Sequence, residues 1–223
     1  MTLDEVRHRI VEVGIVPVIR AASSREARLA VDAICAGGIT IAELTMTVPG
    51  AIEVIADLAK SMGSSLLLGA GTVLDAKTVE RCIDAGAQFI VSPSFDLGTV
   101  KAAKKAGKLV MAGALTPTEV VTAWSSGSDF VKIFPCGPVG GAKYIRALKA
   151  PFPEIPMVPT GGVNLETAAD FIRAGADALG VGGELVSSTA LKSGNLQEIT
   201  EAAHKFLEIV REARRSSKVV VST

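Results

Sequence analysis

Lys132 stands in the run Asp129-Phe130-Val131-Lys132-Ile133-Phe134-Pro135, a segment apolar enough to form a β-strand inside a protein. Side chains two apart on a strand share a face, so Phe130, Lys132 and Phe134 point the same way and the amine lies between two aromatic rings. Burial strips an ammonium ion of its hydration and favours the neutral amine, which attacks ketone carbon to form a Schiff base. The competing structural reading is a lysine with a buried stem whose head reaches water at the strand end. Two further charges occupy comparable settings: Glu43, within Ile41-Ala42-Glu43-Leu44-Thr45, and Arg20, which closes the apolar run 15–20. A carboxylate beside a reactive amine can shuttle protons, and an arginine can hold an anionic substrate.

Several chemistries are excluded by what these residues lack around them. The only histidines, His8 and His204, lie near opposite ends in helix-like segments, and the three cysteines, Cys35, Cys82 and Cys136, are far apart. They offer no metal-ligand spacing and no Ser-His-Asp arrangement, so a metal site is not expected. Dispersed cysteines in odd number read as reduced thiols, and Cys136, with no histidine to activate it, reads as a packing residue. There is no P-loop or dinucleotide fingerprint, and no cofactor is expected. Twenty-three basic residues balance 23 acidic ones, which leaves no net charge to attract nucleic acid or an anionic membrane. The apolar runs fall short of the roughly 20 residues that span a bilayer. The opening residues, Met1-Thr2-Leu3-Asp4-Glu5, lack the basic-then-apolar order of a secretory signal. The resulting expectation is a cytoplasmic protein.

The elements that must position Lys132, Glu43 and Arg20 follow from the alternation of short apolar runs with longer amphipathic ones. Strands are expected at 15–20, 39–45, 65–69, 88–92, 109–113, 130–134, 156–160 and 178–182. Helices are expected at about 24–36, 50–61, 75–85, 96–106, 116–126, 141–149 and 164–174, with a final one at about 195–214. Ser24, Asp75 and Asn164 supply side-chain acceptors at helix starts, and Ala-Gly pairs such as Ala85-Gly86 and Ala106-Gly107 end helices. Eight β-then-α units call for a parallel sheet, and the count of eight selects a closed (β/α)8 TIM barrel of the α/β class over an open sheet. The first 13 residues read as an extra helix capping the barrel floor. Residues 1–215 thus form one domain, and 216–223 are expected to fray.

Active sites of such barrels lie at the carboxyl end of the strands. There the strands deliver Arg20, Glu43 with Thr45 and Thr47, Gly69-Ala70-Gly71-Thr72, Ser92-Pro93, Gly113, Lys132 with Phe134, Thr160-Gly161-Gly162 and Gly182-Gly183. A structural salt bridge would explain two of the charges, but less well three at one end. The glycine pairs after the last two strands suit close approach of backbone amides to an anion, where these barrels commonly bind phosphate.

The segments Glu43-Leu44-Thr45-Met46-Thr47, Gly69-Ala70-Gly71-Thr72-Val73, Phe89-Ile90-Val91-Ser92-Pro93, Val131-Lys132-Ile133-Phe134-Pro135 and Val158-Pro159-Thr160-Gly161-Gly162-Val163 resemble, in order and spacing over about 5–212, the 2-keto-3-deoxy-6-phosphogluconate aldolases, a family that includes 4-hydroxy-2-oxoglutarate aldolases. The resemblance implies a homotrimer of barrels, no metal, a Schiff-base lysine at Lys132 and a proton-transferring glutamate at Glu43. It implies as partners a small 2-keto acid and a phosphorylated aldehyde. The pyruvyl carboxylate would be positioned by Thr72 with Arg20, the aldehyde and phosphate by Thr160 and the glycine pairs. Two positions depart from the family pattern. Thr47 stands where many members carry an arginine for the substrate carboxylate, and Arg20 is expected to supply that charge. Gly183, followed by Glu184, stands where a serine hydroxyl is common at the phosphate. The alternatives are another phosphate-binding barrel enzyme, an isomerase or a thiamine-phosphate synthase type, or a sugar-phosphate sensor or assembly subunit without activity.

Overall fold

The apolar runs become strands with no solvated face, as expected of a parallel sheet covered on both sides. Every residue is buried in β1 (Ile15–Ile19), β2 (Ile41–Thr45), β3 (Leu67–Gly71), β4 (Phe89–Val91), β5 (Leu109–Ala114), β6 (Phe130–Ile133), β7 (Met157–Pro159) and β8 (Leu179–Val181). The structure, a computed structural model, describes residues 1–220, with side chains described through Ser216. Each strand pairs in parallel with its sequence neighbours, and β1 pairs with β8. The ring closes where Thr160, just past β7, bridges Gly180. A Cβ on Gly180 would lie 2.1 Å from Thr160 Oγ1, so this seam requires glycine there.

Around the strands run α1 (Leu3–Val13), α2 (Ser24–Ala36), α3 (Ala51–Met62), α4 (Ala76–Asp84), α5 (Leu97–Lys105), α6 (Pro117–Ser125), α7 (Ala142–Lys149), α8 (Ala168–Arg173), α9 (Ser188–Ser193) and α10 (Leu196–Val220). The extra N-terminal helix is present: α1 begins in a capping box of Thr2 and Glu5, ends at left-handed Gly14 and buries Val6 and Ile10. It seals the amino end of the barrel. Arg7 donates to the Asp129 backbone oxygen and carboxylate, both at 3.2 Å, and its guanidinium lies 5.4 Å from the centre of the Phe130 ring. Asp129 also accepts from Lys104 at 2.8 Å and from the Val110 amide at 2.9 Å. One buried carboxylate therefore ties α1, α5 and β5 to the foot of β6.

Three expectations are corrected. The cap of α2 is Ser23, whose side chain accepts from the Glu26 amide, whereas Ser24 Oγ donates to the Pro49 carbonyl. Asn164 does accept from the Glu166 and Thr167 amides, but the regular helix starts only at Ala168. Short α9 was not foreseen, and α10 continues to Val220 rather than ending near 214. The last part of the tail expected to fray, 221–223, lies outside the described residues.

Candidate active site

β2 and β6 face one another across the barrel, four places apart in the strand order. Glu43 and Lys132 meet on the line between them: Nζ lies 3.7 Å from Oε1, with side chains 3% and 2% exposed for Lys132 and Glu43 respectively. Glu43 Oε1 is buried and has no hydrogen-bond partner among the described residues. A buried carboxylate oxygen left so is costly, which makes structure alone a poor account of the pair. The oxygen and the amine are close enough for proton transfer with a small adjustment, in a place that holds no other charge against them.

β3 makes room for this pair. A Cβ on Gly71 would fall 2.0 Å from Glu43 Oε1 and 2.6 Å from its Cγ and Cδ. Gly69, one layer lower, would meet the Phe89 ring at 2.2 Å. The two glycines thus allow a carboxylate and an aromatic ring to lie against the same strand. The rings flanking Lys132 divide their roles. Phe134 is beside the amine, its centroid 5.5 Å from Nζ, while Phe130 sits below against Arg7. Phe134 thus borders the amine, and Phe130, two residues before Lys132 on β6, also packs against the arginine of the barrel floor.

The rim residues come from the turns above. Thr72 follows β3 with φ +58°, the left-handed region that a β-branched residue rarely adopts. Such strain, about 1–3 kcal/mol, persists where the surroundings dictate it and clusters at working sites. Thr47 is exposed and shares a 2.6 Å hydrogen bond with Thr45, which donates to the Ile19 carbonyl at 2.8 Å. Pro93 is half-buried, and Gly113 is required beneath it because a Cβ there would lie 2.2 Å from the Pro93 carbonyl carbon. Gly161 and Gly162, both left-handed, interlock with the turn after β6: the Gly137 amide donates to the Gly161 carbonyl at 2.8 Å. That turn, 136–141, is a part of the site the sequence reading missed; its glycines at 137, 140 and 141 were the available signal. Thr160 is buried in the closing seam. Gly182 is half-buried, and Gly183 is exposed with nothing within 4 Å of the place its Cβ would occupy.

Arg20, the third charge expected at this end, lies outside the buried Lys132–Glu43 ion pair. It is exposed at the end of β1, with Nη1 3.4 Å from the position of a Cβ on Gly182. Cys136 lies under the 136–141 turn, and burial pushes its thiol up to about 11, as it does for Cys82. Neither is poised as a nucleophile. His8 and His204 are both exposed. Among the described residues no group of three or more His, Cys, Asp or Glu side chains could hold a metal ion.

The sequence pattern of a family described as "Aldolase: KDPG and KHG aldolase" matches residues 6–202. The chain is similar to the 2-dehydro-3-deoxy-phosphogluconate aldolase of Treponema pallidum, 32% identical over 199 residues, 89% of this chain and 94% of the relative. It is similar also to the KHG/KDPG aldolase of Escherichia coli K12, 32% identical over 195 residues, 87% of this chain and 91% of the relative. Among solved structures, the KDPG aldolase of Legionella pneumophila, with pyruvate captured at low pH as a covalent carbinolamine intermediate, superposes with a TM-score of 0.83. It is 27% identical and covers 89% of this chain and 96% of its own.

Proposed function

The chain belongs to the KDPG and KHG aldolase family, and we propose that it works as a class I aldolase through Lys132. Its substrate is 2-keto-3-deoxy-6-phosphogluconate, with 4-hydroxy-2-oxoglutarate as a second one, and its products are pyruvate and an aldehyde, glyceraldehyde 3-phosphate or glyoxylate. The observation that carries this reading is the buried contact of Lys132 Nζ with Glu43 Oε1 at 3.7 Å, at the carboxyl end of the barrel.

The reaction follows from that contact. Transfer of a proton from Nζ to Oε1 gives a neutral amine and a neutral carboxyl without changing the charge of the buried pair. The amine attacks C2 of the substrate ketone. Glu43 returns its proton to the departing hydroxyl, and loss of water leaves an iminium ion. The carboxylate then takes the proton of the C4 hydroxyl as the C3–C4 bond breaks. The bonding electrons pass to the iminium nitrogen as an enamine, and the C4 fragment leaves as the aldehyde. Protonation at C3 and hydrolysis of the new iminium release pyruvate and restore Lys132. Phe134, 5.5 Å from Nζ, shields the amine from water. Thr72, with Thr47 and Pro93 beside it, forms the wall for the C1 carboxylate, and Gly161, Gly162, Gly182 and Gly183 receive the phosphate on backbone amides.

Metal independence is part of the proposal, supported by the donor set described above, since a metal-dependent aldolase needs clustered ligands. So are a homotrimer and a cytoplasmic location. No helix among the described residues is long and apolar enough to cross a membrane.

Borohydride added with pyruvate should attach the three-carbon unit covalently to Lys132, read by peptide mass. A folded protein that takes up no label there refutes the Schiff base. Lys132→Ala should lose turnover altogether, and Glu43→Gln should slow it on the order of 100-fold; wild-type turnover in Glu43→Gln would remove its role.

A further inference from the structure

We infer that Arg20 is the cation of the phosphate end of the site, taking the place of the hydroxyl that Gly183 lacks, and is not the carboxylate clamp expected of it. The inference rests on the Lys132 Schiff-base reading and adds to it what decides preference for a phosphorylated substrate. The line from Glu43 on β2 to Lys132 on β6 divides the barrel mouth. β7, β8 and β1 lie on one side of it, β3, β4 and β5 on the other. Gly161, Gly162, Gly182 and Gly183 belong to the first half, and Thr72, Pro93 and Gly113 to the second.

Arg20 follows β1 on the first side, where its Nη1 comes 3.4 Å from the position of a Cβ on Gly182. That distance is ordinary van der Waals contact, so the guanidinium lies directly over the turn that follows β8. Arg20 is also uncommitted: among the described residues it has no ion-pair or hydrogen-bond partner. Arg7, Lys104, Lys149 and Arg214, by contrast, are all engaged at the barrel floor.

The charges decide which ligand end needs it. A phosphate monoester carries roughly −1.5 to −2 near neutrality and presents several acceptor oxygens that a guanidinium fork matches in pairs, whereas a carboxylate carries −1. Gly183 offers an amide but no hydroxyl, and exposed Glu184 follows it. Backbone amides alone would hold a dianion beside that carboxylate weakly, and one free guanidinium on the same side restores the balance. The C1 carboxylate is left to the neutral donors of Thr72 and its turn.

The test compares kcat and KM for 2-keto-3-deoxy-6-phosphogluconate and for the same sugar acid without phosphate, in wild type, Arg20→Ala and Arg20→Lys. It adds Lys143→Ala, the exposed cation that lines a neighbouring cavity with Gly162. Pyruvate trapping by borohydride is titrated in each. Arg20→Ala should lose kcat/KM roughly 10- to 100-fold more for the phosphorylated than for the unphosphorylated substrate, mainly through KM, with Arg20→Lys partly restoring it. The pyruvate concentration for half-maximal trapping should move much less. Equal losses for both substrates, with a matching rise in that pyruvate concentration, would return Arg20 to the carboxylate and overturn the inference. The selective loss appearing in Lys143→Ala instead would overturn it too. Trapping that fails in the wild type removes the Schiff base itself, a result distinct from either.

Discussion

Gly71→Ala isolates the placement of Glu43 from everything else the barrel does. The added Cβ would lie 2.0 Å from Oε1 and 2.6 Å from Cγ and Cδ. Real Cβ contacts stay beyond 3.0 Å, so the carboxylate must withdraw by about 1 Å, a displacement that costs on the order of 100-fold when a reacting group is involved. That is about 2.7 kcal/mol in the barrier. Stability should hardly move, because the obstructing atoms belong to the flexible end of a side chain, and replacing glycine contributes about 0.4–1 kcal/mol by restricting the unfolded chain. Gly69→Ala provides the opposite case on the same strand. Its Cβ would strike the Phe89 ring at 2.2 Å, where nothing flexible can yield, and overpacking of this kind costs about 1–3 kcal/mol of stability. The assay is pyruvate release coupled to lactate dehydrogenase, with urea unfolding and borohydride trapping alongside. Gly71→Ala should keep its unfolding midpoint and its label on Lys132 while kcat falls about 100-fold. Wild-type kcat in Gly71→Ala, or a loss of activity that follows a loss of fold, would refute the assignment of Glu43.

Asp129→Ala should lower stability by about 2–4 kcal/mol in urea unfolding, since it strands Arg7, Lys104 and the Val110 amide around a buried site; a change under 1 kcal/mol would mean the floor network is ornamental. Cys82 and Cys136 should resist a disulfide-exchange reagent at pH 8 in the folded protein and react on unfolding, because burial holds both thiols near 11. The same shift fixes a sign: their stabilising contribution is intact below 9.0 and is lost as pH rises from there through 11. Rapid labelling of either, or unfolding that is insensitive to pH across that window, would contradict the burial. Thr72→Gly should leave stability within about 1 kcal/mol, relief of left-handed strain offsetting glycine's entropy, while pyruvate affinity falls roughly 10-fold with the lost hydroxyl. Unchanged affinity would take Thr72 out of the carboxylate wall.

Much of the fold was legible because parallel strands covered on both faces read as unbroken apolar runs, and helix ends carry caps that act locally. Asp75 caps α4 as its position suggested. The slip from Ser24 to Ser23 shows the limit of that logic, since either serine offers the same oxygen and only the backbone path selects one. Lys132 and Glu43 stood out for a physical reason too: a charge inside an apolar run costs too much to persist without a task. The left-handed backbone of Thr72 left no trace, because nothing in a β-branched residue signals a conformation it resists.

The chain's own pattern, then, was sufficient for eight β-then-α units, for an amine and a carboxylate in their interior, and for glycine turns at the ends of the last strands. Tertiary structure alone decided what those glycines face. Gly71 is glycine because of Glu43, Gly69 because of Phe89 and Gly180 because of Thr160, while Gly182 faces Arg20. Each is a contact across strands between residues remote in sequence, and barrel closure brings them together. The same closure set the two rings of the lysine strand to different work, Phe134 beside the amine and Phe130 against the arginine of the floor.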